Sequence, residues 1–291
     1  MSTHPQPPQD VPHCPRHPDR VSYVRCQRCG RPACPECQRP AAVGVHCVDC
    51  VREAQAGVRQ VRTASGVVVR ARKPVVTYAI MALCVVGYLM QLFVPGFSQA
   101  FVEWNLAVGH EPWRMLTAGF LHDTSNPLPV HLALNMLSLW FLGRALEPVL
   151  GHWRFAAVFC LGVIGGSVAQ VLLSDPTTSG WGASGGIFAI GAALLVELRH
   201  DRQSLISMAV VLGINLVYGF TIGANISWQA HVGGLVTGLI LGGIYASGTK
   251  VKNREAYHVA CTVLVGILLV WLGMYLGFQA WDAYVGMAYA S

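Results

Sequence analysis

Charge is what this sequence has least of. Asp, Glu, Lys and Arg make up 12% of its 291 residues while 53% are apolar, too little polar surface for an ordinary soluble enzyme of this length. The charge that exists is uneven: residues 1–74 hold twelve of the twenty Lys and Arg, and residues 75–291 read as one apolar run after another. Two regions with different solvents follow. The opening MSTHPQPPQD lacks a cationic start leading into an apolar stretch and a small-residue cleavage site, so no cleaved secretory signal is expected and insertion falls to the spans themselves. The apolar runs also lack the period-two alternation of barrel strands. A backbone in lipid must then satisfy its own hydrogen bonds as helix.

At about 20 residues per crossing of a roughly 30 Å apolar slab, the runs predict seven helices, near 75–95, 128–147, 153–174, 183–199, 203–222, 228–247 and 257–278. The expected fold class is an all-α polytopic membrane protein preceded by a small metal-stabilised domain. Segments rich in Lys and Arg stay cytoplasmic. With the amino terminus inside and the carboxyl terminus outside, nineteen of the twenty cations are cytoplasmic, and only Arg114, in the long loop 96–127, is external. The expected organisation is a disordered start (1–12), a metal module (13–52), a basic juxtamembrane linker (53–73), a six-helix core (74–249), and a final part (250–291) with a cytoplasmic connection, a seventh helix and a short external tail. The linker either lies on anionic lipid or is a solvated tether whose charge fixes topology. No aromatic platform or groove-reading helix accompanies its cations, so nucleic acid is not an expected partner.

In the amino-terminal region, seven Cys and one His form four pairs of equal spacing: Cys14 with His17, Cys26 with Cys29, Cys34 with Cys37, and Cys47 with Cys50. Each is a chelating turn, and a tetrahedral ion takes two such turns, so the eight ligands imply two structural zinc ions. Disulfides are the competing use, but the expected cytosolic placement keeps thiols reduced. His46, beside Cys47, is either a substitute ligand or a solvated side chain. A module of this size buries too little apolar surface to fold unaided, so metal binding supplies folding energy. It is either a docking unit for a cytosolic protein or a cap without a partner. The stretch resembles B-box-like fingers, whose cross-brace would join the first pair with the third and the second with the fourth.

Polar side chains within apolar spans are costly, and each is a candidate site. On the second span His131 and Asn135 lie four apart and share a helix face. On the fourth, Ser184 sits in GWGASGG, and on the sixth, His231 sits in QAHVGGLVTG. All three spans start from the external side, each within a few residues of its polar cluster, so the clusters can converge in one shallow cavity. Ser184 at a helix start has free backbone N–H groups near it, and Gly182, Gly185 and Gly186 let a substrate backbone approach. Gly234 and Gly238 let the sixth span press on the fourth and carry His231 towards Ser184. No acid stands at matching depth, so a Ser–His dyad is expected, with His231 oriented by packing, Phe188 being the candidate. Neither an H-E-x-x-H helix nor paired Asp within spans occurs, which excludes those two hydrolytic chemistries.

These residues resemble the rhomboid intramembrane serine proteases. The matching pieces are Trp113–Arg114, HLALN at 131–135, LGRALEPVLG, GASGG around Ser184 and AHVGGLVTG around His231, in order over residues 75–247. The resemblance implies a rhomboid-like six-helix core with an added seventh helix, hydrolysis without metal or ATP, and substrates that are themselves transmembrane segments. It implies that Ser184 is the nucleophile and His231 the base. Asn135, His131 and the Ser184 N–H would form the oxyanion site, and the fifth span the lateral entrance. Phe188 stands where the family often has Tyr, and DTSNPLPV is long. A catalytically silent, client-binding relative is the alternative; it would normally lack the Ser or the His. The plasma membrane is the expected location.

Overall fold

The computed structural model describes residues 11–57, 73–126, 128–221, 227–247 and 251–290. The expected disordered start and most of the basic linker therefore lie outside the described residues. The chain divides into two compact units, Met1–Gln60 and Val61–Ser291.

In the first unit β1 (His13–Cys14) pairs antiparallel with β2 (His17–Val21), and β3 (Gln38–Pro40) pairs with β4 (Val45–Cys47), which runs into α1 (Val48–Gly57). Its buried cluster consists of Cys14, Cys26, Cys34, Cys37, Cys47 and Cys50 with Ala33. An interior made almost wholly of thiols supplies little hydrophobic stabilisation.

The second unit is helical: α2 (Val75–Phe93), the short α3 (Phe97–Phe101), β5 (Glu103–Trp104), α4 (Arg114–Thr117), α5 (Val130–Leu150), α6 (His152–Leu173), β6 (Ser179–Gly180), α7 (Ser184–Leu198), α8 (Arg202–Thr221), α9 (Trp228–Ser247) and α10 (Arg254–Ala290). The seven long helices fall where the seven apolar runs predict them. Four of them, α2, α6, α9 and the α10 segment Arg254–Met287, are long and apolar enough on their own to cross a membrane. The α5 helix carries Arg144 and Glu147 near one end and His131 and Asn135 near the other. The α7 helix, 15 residues long, reaches only about 22 Å at 1.5 Å per residue, less than the roughly 30 Å of a hydrocarbon core. Its first residue can therefore sit below a membrane surface. One expectation needs correction: the last span, expected at 257–278 with a short tail, is one helix of 37 residues from Arg254 to Ala290. Its final segment is too rich in Trp, Tyr and Ala to register as a polar tail and has no Pro to stop a helix.

The core lies where α6, α7 and α9 meet, with α7 the most enclosed of the long helices: Gly185 to Leu194 and Glu197 are buried. Small residues make that closeness possible. A Cβ on Gly234 would come within 2.0 Å of the Gly185 carbonyl oxygen, and one on Gly238 within 2.2 Å of that of Ala189. Gly234→Val is accordingly expected to destabilise the helical unit by about 1–3 kcal/mol or more through overpacking. Gly243→Ala, on the same helix with nothing within 4 Å of the added methyl, should leave thermal unfolding in detergent unchanged. Equal melting of the two variants would refute this packing account.

At the opposite end of α5, Glu147 is fully buried. Its carboxylate accepts from the N–H groups of Val76 (2.9 Å) and Thr77 (2.8 Å) and from the Thr77 hydroxyl (2.6 Å). These are orphan donors of the first turn of α2, which has no side-chain cap of its own. His152 joins the same carboxylate at 2.6 Å.

Candidate active site

The loop between α2 and α5 folds against the Ser184 end of the bundle. Buried Arg114 holds it: its guanidinium donates to the carbonyls of Gln99 (2.7 Å) and Val102 (2.8 Å) and pairs with Glu111. The pairing of β5 with β6, Glu103 opposite Gly180, fastens the loop to the segment that leads into α7.

Ser184 is the first residue of α7. Two residues earlier Gly182 has φ +126°, a conformation that side chains rarely adopt, and its N–H donates to the Ala118 carbonyl at 3.0 Å. A Cβ there would stand 3.0 Å from His131 Cε1 and 3.8 Å from Ser184 Oγ. The glycine thus clears the space in which the His131 ring lies beside the serine. His131 Nδ1 accepts from the Asp123 N–H at 3.3 Å, which leaves the proton on Nε2 and makes that nitrogen a donor. Asn135, one turn further along α5, gives an amide N–H to the His131 carbonyl at 2.8 Å, and its second amide N–H has no partner among the described residues.

His231, on α9, is buried and lies flat on Phe188, with ring centroids 4.3 Å apart and an interplanar angle of 14°. The stack fixes the plane of the imidazole without any carboxylate. Among the described residues its Nδ1 has no hydrogen-bond partner. Ser184, His231, His131 and Asn135 all line one cavity of about 470 Å³, completed by apolar side chains of α5 and α8 such as Phe141, Met208 and Leu212. No hydrogen bond joins Ser184 to His231 among the described residues; substrate-free sites commonly close such bonds only around the substrate.

Sequence reasoning missed Asn215 and Met208, the α8 contributions to this cavity. It also missed Glu103, Ser167 and Gln170, which with Ser184 and His131 line a second, smaller space. An acid or amide at a span edge was a detectable signal, but its direction depends on the β5–β6 pairing.

In the first unit the eight chelating residues form two groups. Cys14, His17, Cys34 and Cys37 make one and Cys26, Cys29, Cys47 and Cys50 the other, with the donor atoms of each within 4.8 Å of one another. First pair joins third and second joins fourth; His46 is in neither. The sulfurs of Cys29 and Cys47 are 3.7 Å apart, and His17 Nδ1 lies 3.2 Å from the Cys34 sulfur and 3.5 Å from that of Cys37. Thiolates at ~2.3 Å from a tetrahedral ion sit about 3.8 Å apart, so both donor sets fit such an ion. None of the cysteines is in a disulfide. The Cys47 N–H donates to the Cys26 sulfur at 3.1 Å, a bond between the two turns of the second set.

The second unit is thus a polytopic helical membrane protein in which a cavity between α5, α7, α8 and α9 brings a serine hydroxyl and a histidine to the same wall. Comparison with known proteins gives it a family. Residues 109–248 match the family model described as the Rhomboid domain, and the chain belongs to the rhomboid family. It is 32% identical over 211 residues to the Rhomboid protease GluP of Bacillus subtilis (strain 168), covering 67% of this chain and 40% of that protein. It is 34% identical over 193 residues to the RHOMBOID-like protein 2 of Arabidopsis thaliana (60% and 59%), and 28% identical over 173 residues to the human Rhomboid-related protein 3 (53% and 42%). The chain spans between 40% and 59% of the length of these three relatives.

Proposed function

We propose that the chain is an intramembrane serine endopeptidase that cleaves transmembrane segments near the external face of the membrane through a Ser184–His231 dyad. The observation that carries this reading is the shared cavity: Ser184, His231, His131 and Asn135, from three helices, line one space of about 470 Å³. The Ser184 Oγ attacks the scissile carbonyl while His231 takes its proton, then returns it to the leaving amine. His131 Nε2–H, the free N–H of Asn135 and the backbone N–H of Ser184 supply the oxyanion donors. Phe188, stacked on the imidazole, serves in place of an orienting acid. A substrate helix reaches the cavity beside α8, and a locally unwound segment with a small residue before the cut suits it, since only unwound backbone offers its carbonyl. The chemistry needs no metal.

The distribution of cations supports an amino terminus in the cytosol and a carboxyl terminus outside, in the plasma membrane. In the amino-terminal module, Cys14, His17, Cys34 and Cys37 would hold one zinc ion and Cys26, Cys29, Cys47 and Cys50 another. Each is closed by four protein ligands, so the metal's contribution is structural, and a cytosolic protein is the partner inferred for the module. The test of the enzymatic reading uses purified full-length chain in proteoliposomes with a fluorophosphonate probe. Covalent labelling mapped to Ser184, together with cleavage of a helical reporter, is the expected result. A chain that binds the reporter but takes no label would be a silent client-binding relative instead.

A further inference from the structure

The two ligand sets of the amino-terminal module differ in what they turn to solvent. In the first, Cys14, Cys34 and Cys37 are buried and the half-buried member is the imidazole of His17. In the second, Cys26, Cys47 and Cys50 are 2%, 6% and 2% exposed, whereas Cys29 is open to solvent. Cys29 is the one exposed thiol among the described residues; Cys160 and Cys261 are half-buried and the other cysteines buried. The backbone also covers two of the buried sulfurs of this set. Cys26 accepts from the Cys47 N–H at 3.1 Å, and Cys47 from the Cys50 N–H at 3.5 Å. Cys29 faces the exposed Arg31, whose Nε–H reaches its sulfur at 3.4 Å. The sulfur of Cys47 is 3.7 Å away. Oxidation of a thiolate follows its access to the oxidant, and an imidazole has no such reaction with a hydroperoxide. The first set therefore shows an oxidant nothing to attack, and the second shows it one sulfur with another thiolate in contact.

We propose that Cys29 is a site of oxidation by hydroperoxides, through which the second ligand set opens while the first stays closed. This rests on the metal reading of the two sets. The Cys29 thiolate attacks one peroxide oxygen, the O–O bond breaks, and hydroxide leaves, so that the sulfur becomes a sulfenic acid. The Cys47 thiolate then attacks the Cys29 sulfur, the S–O bond breaks, and a second hydroxide leaves as the disulfide forms. Two thiolates have together given up two electrons, and with two protons from solvent the hydrogen peroxide has become two waters. Arg31 stands beside the sulfur with donors for the departing oxygen. The set then offers two thiolates where a closed tetrahedral site needs four ligands, and it releases its ion. Cys47 immediately precedes α1 and Cys50 lies in its first turn. Opening the second set thus frees the helix that leads into the linker.

The test treats the zinc-loaded full-length chain with hydrogen peroxide. A chromogenic chelator follows ion release, and peptide mass after alkylation follows thiol pairing. One ion is expected to leave at least about tenfold faster than the other, because access differs between the sets. At that stage Cys29 is joined to Cys47, while Cys14, Cys34 and Cys37 are still reduced. Hydrogen exchange of residues 48–57 rises in the same phase, and dithiothreitol with added zinc reverses it. Cys29→His gives the second set the donors of the first, one imidazole and three thiolates. It is expected to keep two ions and to release them at rates within about threefold of each other. Simultaneous loss of both ions, earlier loss from the first set, or a first disulfide that lacks Cys29 would each overturn the proposal, and none of these needs a variant. So would a Cys29→His chain that keeps two ions yet loses the first as fast as the parent. Failure of the metal reading looks different: the chain would take up no zinc before peroxide is added. The order of thiol oxidation would then decide alone, with any cysteine reacting ahead of Cys29 counting against it.

Discussion

Replacing Ser184 by Ala is expected to abolish cleavage of a membrane-embedded reporter, a loss of at least about a thousand-fold, and to leave the melting temperature of the helical unit unchanged. The two halves of that expectation have separate physical origins. The hydroxyl makes no hydrogen bond among the described residues, and it borders open cavity rather than packed side chains, so its removal costs the fold nothing. The chemistry, by contrast, has no second nucleophile. His231→Ala should lower cleavage to the same floor, and the double variant should be no worse than either single one, since a nucleophile and its base act as a unit. The Phe188 stack adds a smaller, graded effect. Phe188→Leu removes the face that holds the imidazole but neither reacting atom, so it should reduce turnover while leaving fluorophosphonate labelling detectable. If Ser184→Ala retained cleavage with an intact fold, the site would lie elsewhere.

Legibility in the sequence followed the range of the interaction. The positions of seven helices could be read because hydropathy is summed over about 20 residues and needs no partner. The four chelating turns could be read for the same reason, each being closed within its own four residues. The glycines of GASGG and AHVGGLVTG announced close helix packing, and Gly234 against Gly185 is that packing. Glu147 was illegible because its partners, the first N–H groups of α2, are some seventy residues away in sequence. Glu103 was illegible because nothing local says that a two-residue strand will pair with Gly180 and bring the acid to a space that Ser184 also lines. The individual α8 residues of the cavity wall escaped as well, since Met208, Leu212 and Asn215 look like ordinary members of an apolar helix, although the family resemblance had marked that span as the entrance.

Chelating the metal is expected to unfold the amino-terminal unit and spare the helical one. The first unit buries six cysteine sulfurs and one alanine and little else, so its interior cannot offset the chain entropy of ordering roughly fifty residues. Two closed tetrahedral sites, each worth on the order of 10 kcal/mol of binding free energy, can. The helical unit has its own large core and no share in either ligand set. Hydrogen exchange on the full chain should therefore show residues 11–57 losing protection after chelation, with α6, α7 and α9 unchanged. About two ions per chain should be released, one for each four-ligand set. Cys37→Ser should reproduce half of the effect in the absence of chelator, with one ion retained by Cys26, Cys29, Cys47 and Cys50. Acid should act in the same direction, because thiolates and the neutral imidazole must take up protons as the metal leaves and affinity falls as pH falls. Retained protection in a metal-free chain would mean that the thiol cluster packs as an ordinary core, and the metal account of the module would be wrong.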